Sequence, residues 1–204
     1  KPGVTPDVMR AIAKRFWGSE VAADFSTYDG KALAAAKILD RQYAKESLIL
    51  CDFNWPIMYS EATDDKVGDP TLESRICSAV TGKEVDEDGL YRIGERAFNL
   101  QRAILIREGR QGRADDTLEE YEFTCPVTEL TAFGNPEALI PGKNGRTISR
   151  QGLVVDRKQF EGMKDEFYAL RGWDIKTGLQ KKTTLEELDL ADVARTMEAG
   201  GFLA

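Results

Sequence analysis

Apolar residues recur along this chain at spacings of three and four nearly from end to end, which predicts helices almost throughout. Thr5-Pro6-Asp7 is a helix start, with Thr as cap and Pro at the first helical position. Val8, Met9, Ile12, Ala13, Phe16 and Trp17 then form an apolar stripe that Gly18 can end. A second helix is predicted from about Gly30 to Leu50, with Leu33, Ala36, Leu39, Tyr43, Ala44 and Leu48 as core positions. Its end, SLILCDFNWP, is unusually apolar and stops at Pro56. After a polar loop over 60–70, Asp69-Pro70 opens a short helix through Val80, with Leu72, Ile76 and Val80 on one face and Gly82 behind it. The longest helix follows. Asp86 can cap it, Glu87 and Asp88 suit its first turn, and Leu90, Ile93, Ala97, Leu100 and Ile104 share one face before the break at Gly109.

Residues 110–155 hold most of the irregular structure, punctuated by Pro126, Pro136, Pro141, Gly134, Gly142, Gly145 and Gly152, with short strands expected near Glu122–Cys125 and Leu153–Val155. Asp156 with Gln159 reads as a capping box before Phe160, Met163, Phe167 and Leu170, a face closed by Gly172. Thr184 with Glu187 repeats that pattern, and a last helix is expected over Asp192–Ala199. No internal repeat, low-complexity tract or sustained heptad run occurs. The expected fold class is all-α: one compact multihelical domain over 1–204, with an irregular excursion around 110–155.

The net charge of −7 argues against nucleic acid as a partner, because phosphate binding needs a basic surface. No apolar run approaches the roughly 20 residues of a membrane span, and no signal peptide is seen, so no membrane partner and a cytoplasmic location are expected. The chain has no His, which excludes Ser–His and Cys–His catalysis and His-ligated metal within it. It starts at Lys1 rather than Met, as a cut or a processing step in a longer polypeptide would leave it.

Candidate chemistry is sparse. Asp64-Asp65 and Asp115-Asp116 read as solvated turns without the spacing of a calcium loop. Arg96, Arg102, Arg107, Arg110 and Arg113 lie beside Glu95, Glu108 and Asp115, which reads as a helix-end ion-pair network of exposed pairs. Cys51, Cys77 and Cys125 are odd in number and unpaired by any CxxC, which favours reduced thiols. Cys77 and Cys125 read as small apolar fillers. Cys51, inside LILCDFNW, is expected to be buried, and two readings stand: another filler, or a thiolate for a soft metal centre whose other ligands lie elsewhere.

The segment from Arg92 to Leu118 resembles the C-terminal domain of the aldehyde ferredoxin oxidoreductase family, tungsten or molybdenum bis-pterin enzymes. The resemblance is carried by Gly94-Glu95-Arg96, Asn99-Leu100, Arg107-Glu108-Gly109, Arg113 and Asp115-Asp116-Thr117-Leu118. Asp165-Glu166-Phe167-Tyr168 and Arg171-Gly172-Trp173-Asp174 extend it, as do Gly30-Lys31-Ala32 and the stretches from Ser47 to Cys51 and from Thr184 to Leu190.

The resemblance implies an all-helical domain that closes over the cofactor from one side. The family's Asp-x-x-Gly-Leu-Cys motif falls on Glu46, Ile49, Leu50 and Cys51, with Glu for Asp and Ile for Gly as departures. It implies that Cys51 is the fourth thiolate of a [4Fe–4S] cluster, that Leu50 touches a pterin through its backbone, and that Glu46 takes the acid's place. The implied reaction oxidises an aldehyde to a carboxylic acid with ferredoxin, or another redox partner, as electron acceptor. The remaining cluster cysteines, the other pterin elements and a catalytic His would lie in upstream domains, so the chain alone is expected to hold no cofactor and to be inactive. Two alternatives remain: the reductase branch of the family acting on aryl-CoA thioesters, and a non-catalytic helical interaction module that lost the cofactor.

Overall fold

A computed structural model describes residues 4–51, 58–128 and 135–204. Helix α1 spans Pro6–Phe16, and the Thr5 hydroxyl caps it by accepting the Val8 amide. Its buried residues are Ile12, Ala13 and Phe16, three of the six expected from the stripe. A 3₁₀ turn at Glu20–Ala23 packs Ala22 and Ala23 against Ala13 and against Ala34 of α2, Lys31–Ser47.

Helix α2 ends at Ser47 rather than Leu50, and its buried apolar residues are Ala32, Ala34, Ala36 and Ala44. Leu33, Leu39, Tyr43 and Leu48 are only half-buried, because the neighbouring elements approach over the small side chains. Helix α3, Leu72–Thr81, turns Glu73, Ser74 and Cys77 inward and leaves Val80 81% exposed, contrary to its apolar spacing. Arg41 of α2 reaches the buried Glu73 carboxylate at 2.7 Å, and Cys77 packs with Ala44 and Leu90. A buried ion pair and a contact over small residues, neither of which an apolar count registers, set this face.

Helix α4, Glu87–Arg107, starts as expected: the Asp86 carboxylate accepts the Gly89 amide at 2.8 Å. Its inward face is rotated from the predicted one. Leu90 is buried, but Ile93, Leu100 and Ile104 are 45%, 38% and 40% exposed, while Tyr91, Gly94, Asn99, Arg102, Ala103 and Ile106 face in. The cause is the crossing of α2 and α4 at Gly94, where a Cβ would sit 1.9 Å from the Asp40 carbonyl oxygen. Only glycine permits that approach, and it brings Asn99 and Arg102 under the covering segments.

Glu122–Cys125 is not a strand; most of it lies in a short helix α5, Glu120–Thr124. The segment 153–155 lies outside any sheet, with Val127 donating to Leu153 and Val155 donating to Glu122 through the backbone. The one sheet among the described residues is a hairpin of β1, Leu139–Pro141, and β2, Thr147–Ser149, with Ile140 opposite Ile148.

Asp156 caps α6, Arg157–Leu170, by accepting the Gln159 amide at 2.8 Å. Lys164 and Tyr168 are its buried residues, and Leu170, expected inside, is 51% exposed. Helix α7, Lys182–Glu187, is preceded by Lys181 at its cap, so Thr184 lies within the helix. The Thr184 hydroxyl instead donates to the Gly172 carbonyl at 2.8 Å, which ties α7 to the end of α6. Helix α8, Ala191–Ala199, packs Ala194 and Met197 against Ala103 and Ile106 of α4 and against Leu185, Leu188 and Leu190. The fold is predominantly helical, as the periodicity predicts.

Candidate functional site

Cys51 follows directly on the turn that ends α2. The Leu50 amide donates to the Lys45 carbonyl at 2.9 Å and the Ile49 amide to Glu46 at 3.0 Å, the paired bonds of a Schellman cap. Such a cap needs one residue in the left-handed region, and here it is Ile49, with φ of 60° and 92% exposure. The family's motif has glycine at this place, so the substitution keeps the turn at the cost of local strain.

The turn brings Glu46, Leu50 and Cys51 together at one end of α2. Glu46 is exposed and its carboxylate accepts from the Gln42 amide nitrogen at 3.0 Å, while Leu50 is half-buried. Cys51 is exposed, which corrects the expectation of burial. The apolar run around it suggested an interior helix, but the helix is capped before it and the chain turns outward. The predicted stop at Pro56 lies outside the described residues. Cys77 is buried as an apolar filler should be, whereas Cys125 is exposed and fills nothing.

A [4Fe–4S] cluster takes four thiolates. Among the described residues no group of three or more His, Cys, Asp or Glu side chains could hold a metal ion. An exposed thiol just beyond a helix cap could serve such a cluster as one ligand of four.

The Arg- and Asp-rich loop after α4 does something different. Arg102, 7% exposed, grips Asp116 with both terminal nitrogens at 2.7 and 2.6 Å and donates to the Gly178 carbonyl. Arg110 and the Tyr168 hydroxyl donate to the same carboxylate at 2.8 and 2.6 Å. Burial works against the Asp116 charge, but the hydrogen bonds from Arg102, Tyr168 and Arg110 outweigh it and hold the carboxyl at about 2. Burial and the adjacent Asp116 raise the Tyr168 phenol, so it stays a donor. The Asp115-Asp116 pair is therefore not a solvated turn: Asp115 accepts the Gln111 amide at 2.7 Å, and Asp116 is a partly buried hub. Asp65, in the other pair, is exposed and meets Arg15 at 2.6 Å.

Arg113 extends the network to Glu161 and Asp165 of α6. Gly112 before it has φ of 64°, and a Cβ there would lie 2.3 Å from the Thr177 carbonyl oxygen. Arg171, 2% exposed at its side chain, binds Asp40 at 2.6 Å and the Ala36 carbonyl at 3.0 Å, with Glu95 at 3.6 Å. It joins α2, α4 and the end of α6. Burial pushes the Asp40 carboxyl up to about 6, although the charge and hydrogen bond of Arg171 oppose the rise. Arg96 donates to the Asp189 carbonyl, while Arg107 stays exposed at the helix end.

Sequence reasoning assigned no role to Asn99, Tyr168, Arg171 or Trp173. The periodicity carried no signal for them: Asn99 and Arg102 fall on the face of α4 away from the predicted apolar stripe.

These features define a helical domain that presents one thiol at a capped helix end and is locked by partly buried ion pairs. The chain belongs to the aldehyde ferredoxin oxidoreductase family: residues 4–190 match the family model for aldehyde ferredoxin oxidoreductase, domains 2 & 3. Members of this family generally bind tungsten or molybdenum pterin and iron–sulfur groups. No helix among the described residues is long and apolar enough to cross a membrane.

Proposed function

We propose that this chain, as one helical domain, is part of a tungsten- or molybdenum-pterin oxidoreductase that oxidises an aldehyde to a carboxylic acid with ferredoxin as electron acceptor. It acts with upstream domains of the same polypeptide, in the cytoplasm, and is inert by itself. The observation that carries this reading is the exposed Cys51 thiol beyond the α2 cap, in a chain of this family.

In the assembled protein Cys51, as its thiolate, would be one ligand of the cluster. Leu50, held by its bond to the Lys45 carbonyl, offers its backbone to the pterin, and Glu46 stands one helical turn earlier in the acid's place. When bound, the metal–pterin centre supplies the redox chemistry and the cluster the path for electrons. The chain's own part is positioning: the Schellman bonds fix the cap, and the Arg171–Asp40 pair fixes α2 against α4 and α6.

The test is Cys51→Ser in the full-length protein, read by iron content and by the electron paramagnetic resonance of the reduced cluster. Loss of the cluster signal with unchanged circular dichroism is expected. Unchanged iron and an unchanged spectrum would overturn the assignment.

One observation favours a second reading, a helical interaction module without cofactor: Ile49, strained and almost fully exposed where the family's motif has glycine. Purified full-length protein without iron, tungsten or molybdenum would decide for that module.

A further inference from the structure

An apolar recess outside the Cys51 turn and the Asp116 network lies between the loop before α2, the 148–156 segment and the first half of α6, with a volume of about 620 Å³. Its walls include Tyr28, Leu153, Val154, Phe160 and Met163. Leu153 and Val154 remain 47% and 38% exposed, so the recess is open and its apolar surface is uncovered. The walls are fixed: the Asp156 amide donates to the Tyr28 hydroxyl at 2.9 Å, and Phe160 packs edge-on against Phe123.

Two cations stand in this apolar setting, Lys31 and Arg150. The Lys31 ammonium donates to the Val21 and Asp24 carbonyls at 3.1 and 2.7 Å, which uses two of its three protons. Arg150 is half-buried as a residue, and its guanidinium has no hydrogen bond or ion pair among the described residues, although the chain carries a net charge of −7. The one carboxylate at the recess, Asp156, is engaged by the Gln159 amide at the start of α6. An apolar recess with a few convergent polar groups is the usual form of a small-molecule site, and an unpaired guanidinium at its wall selects a planar anion.

We propose that this recess binds a medium-chain alkyl carboxylate, its head on the Arg150 guanidinium with Lys31 nearby and its chain against Leu153, Val154 and Met163. Cys51 does not line the recess, and the inference is independent of any cofactor bound there.

The test is calorimetric titration of the 204-residue chain with octanoate, octanol and octylamine. Octanoate is expected to bind with a negative heat-capacity change and about tenfold or more tighter than octanol, as a charge-assisted hydrogen bond supplies. Octylamine is expected not to bind. Arg150→Gln should weaken octanoate to the level of octanol and leave octanol unchanged, and Val154→Trp, at an exposed wall position, should remove both. Circular dichroism of each variant shows that it is folded. The proposal is overturned if folded wild-type chain takes up no octanoate at millimolar concentration, if Arg150→Gln binds it unchanged, or if octylamine binds as well as octanoate.

Discussion

The indole Nε1 of Trp173 donates to the Asn99 side-chain oxygen at 2.9 Å, joining residues 74 positions apart in a fully buried contact. The Gln180 amide donates to the same oxygen at 2.7 Å and to the Asn99 carbonyl at 3.0 Å. Asn99 thus satisfies two donors from the segment that follows α6. Asn99→Leu would leave the buried Trp173 N–H without an acceptor and the Gln180 amide with only the backbone carbonyl of residue 99, at about 1–3 kcal/mol each. Denaturant unfolding should show a loss of about 2–5 kcal/mol. A change below 0.5 kcal/mol would mean that water or another group replaces Asn99.

Asp116 concentrates three donors on one carboxylate. Asp116→Ala should cost about 3–5 kcal/mol, because it strands the buried Arg102 charge. In a double-mutant cycle with Arg102→Met, the pair should lose much less than the sum of the single changes. Additive losses would show that the two side chains do not interact.

Asp40 and Asp116 pull the pH dependence in opposite directions. The Asp40 carboxyl titrates near 6 in the fold against an ordinary 3.8, so the folded chain binds the extra proton between those values. Its contribution is therefore full below about pH 4 and declines as pH rises to 6. Asp116, held near 2, contributes fully above 3.8 and loses its contribution as pH falls toward 2. Thermal midpoints against pH should fall on both sides of about pH 4. Asp40→Asn should flatten the upper limb and Asp116→Asn the lower; limbs that persist in both variants would assign the dependence to other groups.

Gly94→Ala places a methyl group against the Asp40 carbonyl oxygen. The α2–α4 crossing must open, at about 1–3 kcal/mol or more, despite the better helix propensity of alanine. A rise in the unfolding midpoint would contradict so close a crossing.

Ile49→Gly acts the other way. It relieves a left-handed β-branched residue, which costs about 1–2 kcal/mol, and adds chain entropy to the unfolded state. A net gain of up to about 1 kcal/mol is expected, or roughly 2–4 °C in the thermal midpoint. A loss of stability would show that the Ile49 side chain makes favourable contacts.

Much of the fold was legible in the residues. The caps at Thr5, Asp86 and Asp156 work because a side-chain oxygen meets the amide three positions on, a purely local bond. Thr184 shows the limit: its pattern is that of a cap, but the hydroxyl is taken by Gly172 across a turn. Cys51 could be singled out from its surroundings and the family motif, yet its exposure could not, because the Schellman turn rests on a left-handed Ile49.

Most helix positions, the fold class and the family are properties of local spacing and motif, and the sequence by itself determined them. Which way each helix faces was decided by tertiary structure. The stripe of Ile93, Leu100 and Ile104 has the spacing of a core, yet it lies outward because Gly94 lets α2 approach and because Asn99 and Arg102 find partners from other segments. Periodicity records the preference of each side chain for water or oil. A buried polar group is settled by its partner, and only the folded chain brings the partner within reach.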